Sequence, residues 1–315
     1  MSNVFSIPLT LASAAVAMLS ACGGGSSSNT ASTDASTGAA YNTAAVLCDY
    51  SSSVPYSSAT LNTTATATWS CNGTLRSLSA NGLPDHEIGT FPNADNPNAI
   101  SEQNVAVSAT LSPTKTSAVT PRVGPTDKPG MALNGIMFDP GTAATCDDTG
   151  TVCALGPPST GSWNIEALGQ TSFRFGTDSN NAHVQPQGTY HYHGIPEGLV
   201  SRLGKGNGMT LIGWAADGFP IYARYGYTVA TDASSAIKEL ASSYRTKAVP
   251  DANRPATTAF PMGTFTQDYE YVVGSGDLDE CNGRTGVTPE FPNGIYHYYA
   301  TGTYPYLQRC VMGKL

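Results

Sequence analysis

The sequence predicts a mainly β domain, an antiparallel sandwich or barrel-like sheet with one short helix, stabilised by disulfides. Composition is the first ground: 33 Gly, 21 Pro and 16 Tyr in 315 residues, with only 12% charged side chains, leave few stretches that could form solvated helices. Such a mixture suits short strands joined by turns. The second ground is an even set of six cysteines beyond residue 40, and the third is a strand-like phrase that occurs twice.

The chain opens with an apolar run from Val4 to Leu19 that ends in small residues, the pattern of an export signal. The run is too short to span a bilayer. Leu19-Ser20-Ala21-Cys22 resembles a lipobox, so residues 1–21 are expected to be removed and Cys22 to carry the lipid, although no Lys or Arg precedes the apolar run. Residues 22–41 are almost entirely Gly, Ser, Thr, Ala, Asn and Asp, which bury too little apolar surface to offset chain entropy, and they read as a tether. The expected location is therefore exported and membrane-anchored, in the periplasm or on the cell surface. The remaining segment, 42–315, is long enough for one large β domain.

Cys48, Cys71, Cys146, Cys153, Cys281 and Cys310 fit three disulfides in an exported chain. Their order suggests 48 with 71, 146 with 153 and 281 with 310, since each pair closes a modest loop, although six cysteines permit fifteen connectivities. No cysteine pair has zinc-ribbon spacing. A net charge of −8 without any basic run excludes nucleic acid as a partner.

Ala65–Trp69, Asn104–Leu111 and Tyr269–Val273 are short, β-branched or aromatic, and bounded by turn formers, as strands are. The predicted helix spans Asp232–Lys247, where an Asp cap precedes Ile237, Leu240 and Tyr244 at helical spacing and prolines follow at 250 and 255.

The repeated phrase carries the chemistry. Pro186-Gln-Gly188-Thr-Tyr190-His191-Tyr192-His193 returns 106 positions later as Pro292-Asn-Gly294-Ile-Tyr296-His297-Tyr298-Tyr299. Two equivalent strands are expected, each launched by a Pro-Gly turn. On a strand, alternate residues share a face, so His191 and His193 point together while the tyrosines face the core. If the two strands lie side by side, His297 joins them, and three imidazoles suit Cu, Zn or Fe better than Ca or Mg. Copper is favoured because imidazole-rich sites bind it tightly and exported proteins meet it. Of the five histidines, His183 and His86 are further candidate ligands, and the expected partner is a metal ion.

GTYHYHG, GIYHYYAT and the intervening Asp217-Gly218-Phe219-Pro220-Ile221-Tyr222 resemble the YHYH domain family, as do Asp85-His86 and the closing Tyr304-Pro305-Tyr306 with Cys310. The resemblance covers the chain from about residue 80 onward and implies an exported protein, but it brings no activity with it. The family's second motif often reads His-Tyr-His, and Tyr299 departs from that. His191-x-His193-x-x-x-Glu197 with Gly204, and Gly286, Pro292, Gly294 and His297, also resemble the two cupin motifs, although the first lacks its leading glycine and Thr301 replaces the closing asparagine of the second. That resemblance implies three histidines and Glu197 around Fe, Mn or Cu. Three functions follow: a metal-binding protein, a metal-dependent oxidoreductase or hydrolase with Glu197 or Asp217 handling protons, or a carbohydrate- or protein-binding β module. In the Asp217-Gly218 string a turn is the simpler reading of the aspartate.

Overall fold

A computed structural model describes residues 43–124, 127–155 and 161–315. The expected signal segment, Cys22 and the tether lie outside the described residues.

The described chain is mostly β, in mixed and antiparallel sheets. Helix α1, Thr43–Cys48, leads into a four-stranded meander: β1 (Ser51–Ser57), β2 (Asn62–Asn72), β3 (Leu75–Ala80) and β4 (Val105–Thr110), in spatial order β1-β2-β3-β4. Along β2, Ala65, Ala67 and Trp69 are buried while the residues between them are exposed, so strict alternation fixes which face meets the core. The Trp69 indole Nε1 donates to Leu133 O at 2.8 Å, tying the meander to the larger sheet. Both sheets feed one hydrophobic cluster containing Trp69, Leu78, Leu133, Phe138 and Tyr190.

The larger sheet has eight strands: β5 (Gly130–Ala132), β6 (Met137–Phe138), β7 (Ala182–Val184), β8 (Tyr190–Tyr192), β9 (Thr210–Ala215), β10 (Pro220–Ala223), β11 (Gly283–Gly286) and β12 (Ile295–Ala300). Their spatial order is β7-β8-β6-β5-β9-β10-β12-β11, an open sheet and not a closed barrel. Every residue of the central β9 and β10 is buried, as expected of strands covered on both faces. Helix α2, Glu197–Leu203, follows β8 and buries Leu199 and Leu203.

This sheet repeats itself about its middle. β5 and β9 pair antiparallel with Met131 opposite Trp214. β8 runs parallel to β6 and antiparallel to β7, and β12 runs parallel to β10 and antiparallel to β11. The turn Asn134-Gly135 leads into β6 and Asp217-Gly218 into β10. Their glycines have φ of +80° and +89° and donate their amides to Ala132 O and Ala215 O, both at 2.9 Å. Positive φ is cheap only without a Cβ, so each turn requires glycine. Ahead of β7 and β11, Asn181 and Asn282 are likewise left-handed, at φ 56° and 58°.

The cysteines pair as their order suggested: Cys48–Cys71, Cys146–Cys153 and Cys281–Cys310. The helix expected over 232–247 is absent; turns and the short strands Ile237–Glu239 and Tyr244–Thr246 take its place. Asp232 Oδ1 accepts from the Ser234 amide at 2.8 Å and its hydroxyl at 2.6 Å, closing a local turn where a helix would begin. The strands then pair with Tyr225–Tyr227 and Tyr269–Tyr271, so cross-strand partners outweigh the helical spacing.

Candidate metal centre

His183 faces His191 across the β7–β8 ladder, and His193 follows two residues later, so all three side chains leave the same face of the sheet. Their ligand nitrogens lie within 4.8 Å of one another. His193 Nε2 is 3.0 Å from His191 Nε2 and 3.0 Å from His183 Nε2. Nitrogens about 2.0–2.1 Å from a tetrahedral ion would stand roughly 3.3 Å apart, so the three rings are close to the spacing such an ion imposes.

The other ring nitrogens decide the tautomers. His183 Nδ1 donates to Phe175 O at 2.8 Å and His191 Nδ1 to Thr189 O at 3.3 Å. A carbonyl can only accept, so each of these rings keeps its Nε2 lone pair free and aims it at His193. His193 has one Nε2 proton at most and can satisfy one neighbour, leaving the other ring's lone pair without a donor. A cation among them satisfies all three. Burial pushes the His183 pKa down and those of His191 and His193 well below the usual range, which keeps the rings neutral, the form that ligates metal.

Beside the triad, Asp139 Oδ2 accepts from Lys128 Nζ at 2.5 Å and Gln185 Nε2 at 3.1 Å. Burial raises its carboxyl pKa and Lys128 opposes the rise. Met137 is the register partner of His191, and Met131 the partner of Met137, so both thioethers lie on the histidine face in one cross-sheet row. The two methionines and Thr189 also line a cavity of about 630 Å³ that reaches β4, Lys128 and Arg122. None of Met131, Met137, Asp139 or Lys128 stood out in the sequence, because only register brings them beside the phrase.

The structure does not bring the other candidates to the triad. His297 projects from the same face, but β6, β5, β9 and β10 separate its strand from β8. Five strand spacings amount to about 24 Å. The expected convergence thus fails: the repeated strands occupy equivalent places on opposite sides of the sheet's middle. His297 Nε2 instead meets the Tyr299 hydroxyl at 3.0 Å. His86 contacts the opposite face, its Nε2 lying 2.6 Å from the Tyr192 hydroxyl. Glu197, on α2, is ion-paired with Arg224. Asp217 is buried in its turn and accepts from the Tyr298 hydroxyl at 2.6 Å. Among the described residues, no carboxylate joins the three-nitrogen group. The cupin arrangement, with a third histidine from the second motif on a closed wall, is not met either.

Fold and site together define a disulfide-bonded, mostly β protein with a three-histidine group, two of the rings buried and one partly so, that could hold a metal ion. A model of the YHYH protein family matches residues 106–313, which span both halves of the large sheet, and the chain belongs to that family. No curated protein and no solved structure matches it.

Proposed function

We propose that the chain is an exported, lipid-anchored protein that binds a transition-metal ion through the Nε2 atoms of His183, His191 and His193. The observation carrying this reading is the pair of 3.0 Å Nε2–Nε2 contacts between rings whose Nδ1 atoms are committed to carbonyls or buried. Copper is the ion proposed, ahead of zinc and iron. Imidazole suits all three, but a thioether beside the site, that of Met137, favours copper. The lipid on Cys22 would hold the domain to a membrane, in the periplasm or at the cell surface.

The test is elemental analysis of the chain purified from an exporting host, beside a His191→Ala/His193→Ala variant. About one equivalent of copper is expected in the wild type and less than about a tenth in the variant, since two of three ligands are gone. Equal, substoichiometric metal in both would end the reading. The anchor is tested separately by Cys22→Ser, which should shift the chain from the membrane fraction to the soluble one.

A second reading, a metal-dependent enzyme, is favoured by the ligand count, because three protein ligands leave coordination positions for a substrate.

A further inference from the structure

The pseudo-two-fold through Met131 and Trp214 maps the three histidines onto a second set of residues. Each correspondence is fixed by register and hydrogen bonds. His183 opposite His191 becomes Arg284 opposite His297. The His193 amide donates to Asn181 O at 2.7 Å, and the Tyr299 amide to Asn282 O at 2.9 Å, so Tyr299 stands where His193 stands. His191 Nδ1 donates to Thr189 O, two residues back, and His297 Nδ1 to Ile295 O, also two back, at 2.9 Å. On the core face the match continues: Tyr190 and Tyr296 donate to Asp178 Oδ2 and Asp279 Oδ2 at 2.7 and 2.9 Å. Tyr192 and Tyr298 meet Asn134 and Asp217 of the two glycine turns, at 2.9 and 2.6 Å.

We infer that the second half holds a filled copy of the metal site, in which the Arg284 guanidinium is a built-in cation replacing the ion. This rests on the proposed metal reading for the first half only in part, since the geometric equivalence stands without it.

The second set is closed where the first is open. His297 donates through Nδ1, so its Nε2 accepts from the Tyr299 hydroxyl at 3.0 Å. The Arg284 guanidinium stands over the Tyr299 ring, 5.5 Å from its centroid, and its Nη2 donates to Tyr227 O at 2.8 Å. The phenol thus donates to the imidazole, and a positive charge lies over the phenol ring, so both nitrogens of His297 have partners without an ion. Gly226 packs closely against the set: a Cβ there would stand 2.5 Å from the Tyr299 hydroxyl oxygen and 2.8 Å from Arg284 Nη2. The first half has three acceptor-capable nitrogens and no internal cation among them. Its chemistry calls for an external one, so the chain should bind one ion and not two.

The test exchanges the two sets in the full chain and titrates cupric ion. Arg284→His/Tyr299→His should raise the stoichiometry from one to two. A folded variant that still binds one ion would overturn the inference. The reciprocal His183→Arg/His193→Tyr variant is read by thermal melting of metal-free protein. It should melt within a few degrees of the wild type, because the imported phenol can donate to His191 and the imported guanidinium can lie over it, as in the second half. A melting point lower by ten degrees or more would overturn the inference as well. If the wild type binds no copper, the proposed function fails while the melting comparison still decides the equivalence.

Discussion

Asp217 Oδ2 accepts from the Tyr298 hydroxyl at 2.6 Å and the Gly313 amide at 2.8 Å, and its Oδ1 from the Phe219 amide at 3.3 Å. Burial raises its carboxyl pKa while these hydrogen bonds oppose the rise. A group so engaged clamps the C-terminal segment to a turn and has no lone pair directed at the triad. Asp217→Ala strands a buried hydroxyl and a buried amide, so it should cost about 3 kcal/mol, read by urea denaturation. Copper stoichiometry should stay at one, and a variant with wild-type stability but lost metal would assign the residue to the site instead. Met137 is the opposite case, since its substitution should spare stability and change selectivity. Met137→Leu is expected to weaken copper binding about tenfold, within the range seen when groups around a metal site are altered, and to leave zinc affinity unchanged. Parallel losses for both metals in competition titrations would show that the thioether is packing alone.

Elements differ in how much of themselves the sequence displayed. β2 was legible because Ala65, Ala67 and Trp69 alternate with polar residues, and one buried face is enough to impose that period. The disulfides were legible because nearest pairs close short loops. Residues 232–247 misled, since Ile237, Leu240 and Tyr244 have helical spacing but belong to separate ribbons: Ile237 is exposed, Leu240 buried and Tyr244 paired with Tyr271. Of the site, His191 and His193 were readable from strand alternation, and His183 only as a candidate eight positions upstream. Nothing local shows that Ala182–Val184 pairs with Tyr190–Tyr192, or that Met137 lies beyond them. Parallel partners in particular arrive from distant sequence. The Cys281–Cys310 bond offers a test at this scale, as it joins the turn just before β11 to the strand Cys310–Gly313 across 29 residues. Replacing both cysteines by alanine should cost about 3 to 4 kcal/mol, the entropy of the loop it closes. The loss should appear in chemical denaturation with metal affinity retained, because the triad is carried by other strands. A loss of metal as well would mean that β11 and β12 support the first half more directly than the sheet order implies.

Across the whole molecule, the two copies of the strand phrase occupy equivalent places in the sheet but are surrounded by different side chains. The first half keeps three imidazoles together in a group that could hold a metal ion. In the second, His297 is sealed in the core between Tyr222 and Tyr299, at ring-centroid distances of 5.4 and 5.2 Å. Burial, with a smaller contribution from the Arg284 charge, lowers its pKa from 6.5 to about 3. An unfolded chain would protonate this ring near pH 6.5 while the folded one resists until about pH 3, so the unfolded state binds the extra proton throughout that window. Stability from this residue is therefore complete above pH 6.5 and is lost as pH falls, by up to about 1.4 kcal/mol per pH unit. The triad histidines lose stability in the same direction, and the raised pKa of Asp217 acts oppositely, but both contributions are common to a chain altered only at 297. His297→Gln removes the titration and keeps an acceptor for the Tyr299 hydroxyl. Urea denaturation of the metal-free wild type and variant at pH 7.5 and pH 4.5 should show the wild type losing about 3 kcal/mol more on acidification. If both lose the same amount, the imidazole is not held neutral by burial, and the packing of the second half around Arg284, His297 and Tyr299 is looser than the sheet geometry requires.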